Sequence, residues 1–279
     1  MLGIALALAS AASWGTADFL GGLTTKQLSI LVVSAVSQFA GLVFMVLILV
    51  VLARGPADGH VVVLGLAAGV CGVIGLAALY SGLAIGPMGV VAPITALSGV
   101  VSVCIGLARG DRPSGLQLAG IVVAIVGVVL ASRTPEGHGE PVTARAIVLA
   151  VIAAVSLGVL VVLLDEGGRI DPAWTSAMVR VSALTLLAVA VLVRRPSFAM
   201  ARIQLGTLVV VGLLDNGANL LFALASSTGQ LLSVIAVLAA LYPVSTVLLA
   251  RGVLHERLAR VQVVGVVLAF VGVALLALG

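Results

Sequence analysis

The chain has 279 residues, of which 62% are hydrophobic and only 9% are charged. Together with a mean hydropathy of +1.35, this composition is typical of a membrane protein and excludes an ordinary soluble domain. The net charge of +4 does not indicate a nucleic-acid partner, because the basic residues stand singly between apolar stretches and form no patch.

Ten apolar segments follow one another along the chain, and we number them spans 1 to 10. Each is close to the roughly 20 residues that a helix needs to cross a hydrocarbon core of about 30 Å. We therefore predict an all-α, polytopic membrane protein with ten transmembrane helices. The predicted spans are 2–23, 30–53, 61–83, 88–108, 115–132, 146–164, 173–193, 205–225, 231–250 and 261–278.

The second half of the chain repeats the first about 143 residues later. "LALASAASWG" at 6–15 recurs as "LAVIAAVSLG" at 149–158, and "LQLAGIVVAIVGVVLA" at 116–131 returns as "VQVVGVVLAFVGVALLA" at 261–277. Each copy holds five spans, and because five is odd, the second copy enters the membrane from the opposite side. The sequence thus predicts two inverted five-helix repeats, 1–132 and 146–279, joined by a polar linker at 133–145.

The predicted topology has a terminal side, which holds both termini, and a linker side, which holds residues 133–145. Nine Lys or Arg residues fall in loops on the linker side and four on the terminal side. The positive-inside rule then places both termini outside. The family resemblance described next implies the reverse, so the sequence leaves the orientation open.

Five pieces of sequence, in order, resemble the EamA-type branch of the drug/metabolite transporter superfamily. They are "AASWGTADF" at 11–19, "GDRPSGLQLAGIVVAIVGV" at 110–128, "MVR" at 178–180, "GLLDNGANLLFALASS" at 212–227 and "HERLARVQVVGVVLAFVGV" at 255–273. The resemblance covers the whole chain. It implies a membrane transporter whose central cavity is lined by the first, third and fourth helices of each copy, with the fifth helices at the periphery.

The chain also departs from the pattern of that family. Ser37 and Gln38 stand in the first copy where the pattern has an arginine, and Asp111 replaces the usual glutamate. Asp18 and Asp215 are not general features of the motifs. The resemblance therefore implies the fold and a transport function, while the substrate stays unassigned.

Spans 5 and 10 are expected to be packing helices. They have no polar side chain between 118 and 131 or between 263 and 279, and Gly120 and Gly127 of the first copy match Gly265 and Gly272 of the second. Glycines two turns apart let helix backbones approach closely. We favour packing within the chain, with a homodimer through these faces as the alternative.

Polar side chains inside other spans mark a cavity or a helix contact, because an unsatisfied polar group is costly in hydrocarbon. Many fall in spans that the resemblance assigns to the cavity. The candidates for substrate binding or coupling are Ser13, Trp14, Asp18, Thr95, Arg180, Asp215, Asn216, Asn219 and Tyr242.

Each candidate also has a structural interpretation. Asp215, near mid-span, either binds substrate or couples a proton, or it forms an ion pair with Arg180. Asp18 could extend to headgroup water, Trp14 could simply pack, and the two asparagines could bond neighbouring helices. Pro93 and Pro243 are expected to bend spans 4 and 9, at positions that do not align between the copies.

The sequence lacks the residues that other classes of function require. His60, His138 and His255 fall in predicted loops far apart, and no HExxH, GxGD or phosphate-binding glycine motif occurs. We therefore predict no enzyme, cofactor or metal, and a lipid bilayer and a small-molecule substrate as partners, without nucleic acid. The preferred function is export of a neutral or zwitterionic, amino-acid-like metabolite or a drug by alternating access in the cell membrane, with proton coupling as a hypothesis. Nutrient uptake is the alternative, and a passive channel or a structural protein is more remote.

Overall fold

The computed structural model describes residues 1–86, 88–133, 143–254 and 259–279, except the side chains of 88 and 89. All regular elements in these ranges are α-helices. Most of the predicted linker, 134–142, lies outside the described residues. The helices are α1 Leu2–Thr25, α2 Ile30–Val51, α3 Gly59–Ile85, α4 Met88–Ala96, α5 Ser98–Ala108, α6 Gly115–Ala131, α7 Ala144–Ile170, α8 Pro172–Arg194, α9 Arg202–Ser227, α10 Leu232–Ala239, α11 Tyr242–Leu254 and α12 Arg260–Leu278.

These helices form the ten predicted spans. Within the described ranges, nine helical segments are long and apolar enough to cross a membrane, counting α4 with α5 and α10 with α11, and α6 is a tenth apolar helix of 17 residues. The prediction of an all-α polytopic membrane protein is confirmed. Spans 4 and 9 differ from the prediction because each consists of two helices, α4 with α5 and α10 with α11.

The two breaks lie at equivalent positions of the repeats, although the two prolines do not. Span 4 is interrupted at Leu97 and span 9 at Ala240 and Leu241, a separation of about 143 residues. Pro243 has no N–H to continue the helix, which explains the second break. At the first break, the N–H of Leu97 bonds the carbonyl of Ile94 in a tighter turn.

Packing between the copies shows that the repeats are inverted. Span 1 packs on span 8 (α1 on α9) and span 3 packs on span 6 (α3 on α7), which is the same pair of positions with the copies exchanged. Gly3 at the start of α1 lies against Thr228, just after α9 ends, and Gln27 after α1 bonds Gln204 at the start of α9. The two helices are therefore antiparallel, as opposite insertion requires.

The fifth helices of the two copies, α6 and α12, pack against each other through their glycines. A Cβ placed on Gly127 would lie 2.8 Å from the carbonyl oxygen of Gly265, and one on Gly120 would lie 3.0 Å from that of Gly272. The expectation of packing within the chain is confirmed. A homodimer through these four glycines would require α6 and α12 to separate.

The half-helices of spans 4 and 9 give the bundle an opening. On the terminal side, α5 packs against α10, and a Cβ on Gly99 would lie 3.0 Å from that of Ala240. On the linker side, α4 packs on α7 and α11 packs on α1, and the described residues of α4 and α11 have no extensive contact with each other. The bundle is therefore closed towards the terminal side and splayed towards the linker side.

Candidate functional site

Polar links between helices close the terminal side. Arg109 after α5 donates to Glu166 of α7 at 2.9 Å, and Arg169 of α7 donates to the carbonyl of Gln230 at 2.8 Å. The carboxylate of Asp111 accepts from the backbone N–H of Ser233 at 2.7 Å. These three contacts, which we call the terminal gate, join spans 4, 6 and 9.

Two further polar contacts surround the terminal gate. Arg54 lies 3.5 Å from Asp171, and the imidazole of His60 lies 3.7 Å from Glu166. A cleft of 250 Å³ opens between the gate residues. Among the described residues, no three His, Cys, Asp or Glu side chains converge so as to hold a metal ion. The polar contacts of the terminal gate therefore hold spans 4, 6 and 9 together at this end of the bundle.

A second polar cluster lies within the membrane-spanning part, centred on Arg180 of α8. Its guanidinium donates from Nε to Oδ1 of Asn216 at 2.8 Å and from Nη1 to Oδ2 of Asp215 at 2.7 Å, and it also contacts Oε1 of Gln38. Asn216 donates in turn to the carbonyl of Gly41 at 2.9 Å. This cluster, which we call the arginine cluster, ties α8 to α9 and α2.

The predicted ion pair of Asp215 with Arg180 is therefore present. Arg180 is only 4% exposed, whereas the side chain of Asp215 keeps 29% of its surface accessible. Gln38 also donates to Oδ2 of Asp215, at 3.3 Å, and no donor among the described residues contacts Oδ1. One oxygen of Asp215 is thus used for structure, while the rest of the carboxylate remains available.

Asp18 of α1 faces the opening between the splayed half-helices. At about 100° per residue, the exposed positions Ala5, Ala9 and Ala12 form one face of α1, and Asp18 lies on roughly the opposite face. Its side chain is exposed, although it lies on the face of α1 that is turned towards the bundle. Both conditions hold for a residue that lines an internal cavity, so Asp18 does not extend to headgroup water from the lipid face.

The two tyrosines of the chain lie on helices of different copies, Tyr242 on α11, which packs against α1, and Tyr80 on α3. Tyr242 begins α11, whose first turns pack on α1 where Thr246 donates to the carbonyl of Gly15 at 3.1 Å. Tyr80 of α3 is 42% exposed. Like the carboxylates of Asp18 and Asp215, both phenols lie between the middle of the spans and the linker side. Four helices from both copies thus supply one set of polar groups, which we call the tyrosine cavity.

Other predicted site residues are used in packing. The indole of Trp14 stacks on Phe222 of α9 with ring centroids 6.3 Å apart. Ser13 donates to the carbonyl of Leu214 at 2.8 Å, and Thr95 donates to that of Val91 within its own helix. For these residues, and for the fully buried Asn216, the structure favours the helix-packing interpretation.

Asn219 lies one helical turn below Asp215, towards the terminal side. It is only 3% exposed, and its amide makes no hydrogen bond within the described part of the chain. It therefore remains a candidate for substrate contact, as the sequence predicted.

Sequence reasoning missed two residues of the site. Gln38 stood out as a polar residue of span 2, but that span was outside the implied cavity set, and only the structure brings it to Arg180. Tyr80 carried one usable signal, since it is one of two tyrosines in 279 residues and falls in span 3, which belongs to that set.

Comparisons with known proteins agree with this architecture. The sequence matches the family model described as "EamA-like transporter family" over residues 1–133 and 144–278. A solved structure titled "Crystal structure of protein" superposes with a TM-score of 0.82 at 18% identity, covering 99% of this chain and 96% of the other. At that identity the likeness shows the fold alone. The search of curated proteins gives no match.

Proposed function

Because the chain belongs to the EamA-like transporter family, it is a multi-pass membrane transporter of small molecules and not an enzyme, and we propose that it exports an amino-acid-like metabolite or a drug from the cell. The observation that supports this proposal is the shape of the bundle: α4 and α11 splay apart on the linker side, where Asp18 is exposed, and the terminal gate closes the terminal side. A cavity open at one end is what a carrier needs and a passive channel does not have.

We propose that the two repeats, 1–132 and 146–279, move against each other to open the gate and close the linker side. In the second state α5 and α10 would separate, and α4 and α11 would pack together. Inverted repeats support such an exchange, because each copy can adopt the conformation of the other. The breaks at Leu97 and at Ala240 and Leu241 provide the hinges.

The charges of the cavity support a neutral or zwitterionic substrate. The charge of Asp215 is offset by Arg180, and no Lys or Arg among the described residues is free inside the spans to hold a phosphate or a polyanion. A ligand-induced thermal shift of the purified protein against amino acids, nucleosides, sugars, polyamines and cationic drugs tests this class. Preferential stabilisation by a phosphorylated compound would contradict it.

Proton coupling is proposed through the cavity carboxylates, with Asp18 favoured because Asp215 already has Arg180 as its partner. The test is uptake into liposomes against a concentration gradient, with a proton gradient imposed, for Asp18→Asn and Asp215→Asn. We expect Asp18→Asn to keep exchange but lose accumulation. Unchanged accumulation and pH dependence in both variants would show that the carboxylates have structural roles only.

The alternating-access proposal is tested by locking the gate. Arg109→Cys and Glu166→Cys, made with Cys71 and Cys104 replaced by alanine, allow a short bifunctional thiol reagent to bridge α5 and α7. Bridging with a reagent that contains a disulfide should stop exchange, and reduction should restore it. The control is a single-cysteine protein treated in the same way. Exchange that continues in the bridged protein would refute the mechanism.

The direction of transport is tested in cells. Export predicts that deletion of the gene raises the intracellular level of the substrate, whereas nutrient uptake by the same fold, the alternative, predicts a decrease. The same deletion strain, complemented with the Arg109→Cys/Glu166→Cys protein before and after bridging, serves as the control.

A further inference from the structure

A groove of 310 Å³ lies between the end of α1 and the start of α9, at the linker side of the bundle. Leu20 and Leu23 of α1 line it, and at about 100° per residue they lie on the face of α1 opposite Asp18. Ile203 of α9, which also lines the groove, is 79% exposed. The groove therefore faces the lipid, on the other side of α1 from the opening of the bundle.

Polar and basic side chains form the edge of the groove towards the linker side. Gln204 of α9 donates from Nε2 to Oε1 of Gln27 at 2.8 Å, which joins the two copies at this level. Lys26 immediately precedes Gln27, and Arg202 lies two residues before Gln204. Lys26 is the C-cap of α1 and Arg202 is the first residue of α9, and both are exposed. The groove thus has an apolar wall and a basic edge, at the depth where a membrane span meets the headgroups.

The two basic residues at the edge are available to an anion. Neither forms an ion pair within the described ranges, and the described loops on the linker side contain no Asp or Glu. Comparison of the copies gives the reason for Lys26. At the repeat offset it corresponds to Arg169, which pairs with Asp165 at 3.0 Å, but Gly22 stands in the first copy where the second has Asp165.

We propose that this groove, which we call the α1–α9 groove, binds an anionic phospholipid. The phosphate lies at Lys26 and Arg202, and an acyl chain lies along the apolar wall. Basic residues at this depth attract anionic headgroups, and each strengthens binding by about fivefold. A soluble phosphate would contact the edge and gain nothing from the wall, whereas the headgroup of a zwitterionic lipid carries its own positive charge. Because α1 and α9 belong to different copies, the bound lipid contacts both.

The first test compares two lipids with the same acyl chains on the unmodified protein. Native mass spectrometry of the delipidated protein gives the affinity of the first molecule of dioleoylphosphatidylglycerol, which is anionic, and of dioleoylphosphatidylcholine, which is zwitterionic. We expect the anionic lipid to bind about tenfold tighter or more. Equal affinities would overturn the proposal. Displacement of the bound lipid by millimolar inorganic phosphate would show a site for soluble phosphate instead, and would also overturn it.

Variants then assign the residues. Lys26→Gln and Arg202→Gln should each weaken binding of the anionic lipid by about fivefold and leave the zwitterionic lipid unaffected. The matched control is Arg260→Gln, because Arg260 is also the exposed first residue of a linker-side helix, α12, which packs on α6 away from the groove. It should change binding by less than about twofold. Equal losses in Arg202→Gln and Arg260→Gln would refute the assignment to the groove.

Tryptophan quenching locates the lipid in the reconstituted protein. With Trp14→Phe and Trp174→Phe as background, Ile203→Trp should be quenched more strongly by phosphatidylglycerol with brominated acyl chains than by the corresponding phosphatidylcholine. The control is Val122→Trp at a position of α6 that is 60% exposed, where the two lipids should quench equally. Equal quenching by both lipids at position 203 would contradict the proposed location. No assay here uses a transported solute, so failure of the proposed function leaves these tests unchanged.

Discussion

Removal of the Arg180 side chain would leave three acceptors of the arginine cluster without their donor. We expect Arg180→Met to strand the carboxylate of Asp215 inside the bundle and to uncouple α8 from α9 and α2. Removing one partner of a buried ion pair costs about 3 to 5 kcal/mol. At about 2 to 4 °C per kcal/mol for a protein of this size class, the melting temperature should fall by roughly 6 to 20 °C.

The double variant Arg180→Met/Asp215→Leu should recover most of this loss, because replacing a buried ion pair by apolar side chains is often neutral. Unfolding in detergent can be followed by the fluorescence of the two tryptophans, Trp14 and Trp174. Arg54→Met is the matched control, since Arg54 also pairs with an aspartate but is 46% exposed. Its loss should cost less than about 1 kcal/mol.

Two results would refute this reasoning. If Arg180→Met and Arg54→Met lower the melting temperature equally, the arginine cluster does not hold the three helices together. If the double variant melts as low as Arg180→Met alone, the stranded charge of Asp215 is not the source of the loss.

Three other substitutions probe the fold. Gly127→Ala places a Cβ 2.8 Å from the backbone of α12 and should lower the melting temperature, whereas Gly115→Ala, with no atom within 4 Å, should not; equal melting would contradict the packing. Trp14→Phe should preserve the stack on α9, and Trp14→Ala should cost about 3 kcal/mol of stability; a stable alanine variant that loses substrate binding would instead make Trp14 a binding residue. Pro243→Ala restores a backbone N–H at the break in span 9, so exchange in liposomes should slow severalfold while binding affinity stays unchanged; an unchanged exchange rate would refute the hinge.

The fold was predictable because it follows from patterns with a fixed period. Apolar segments of membrane length and a repeat about 143 residues long determine ten spans in two inverted sets. The packing of α6 on α12 was predictable for the same reason, since the glycines that permit it recur in both copies. A bend in span 4 was expected from Pro93, but the position of the break at Leu97 was not predictable, because no proline lies at the position equivalent to Pro243.

The site was predictable only as a set of helices. Sequence spacing places Ser10, Trp14 and Asp18 on one face of α1, but Ser10 bonds the backbone of α9, Trp14 stacks on it, and Asp18 faces the cavity. The residues of this one face have different surroundings because the neighbouring half-helices pack together at one end of the bundle and splay apart at the other. Tertiary packing therefore decides which polar residues of a helix meet the cavity, as with Gln38 and Tyr80.

The link between Arg109 and Glu166 in the terminal gate has no counterpart on the linker side. At the repeat offset, Leu23 stands where the second copy has Glu166, so closure of the linker side cannot form the equivalent contact. If that link contributes about 1 kcal/mol, the empty carrier rests with its cavity towards the linker side roughly 5 times more often than in the opposite state. The return of the empty carrier to that resting state is then favourable, and loading from the terminal side is the slow direction.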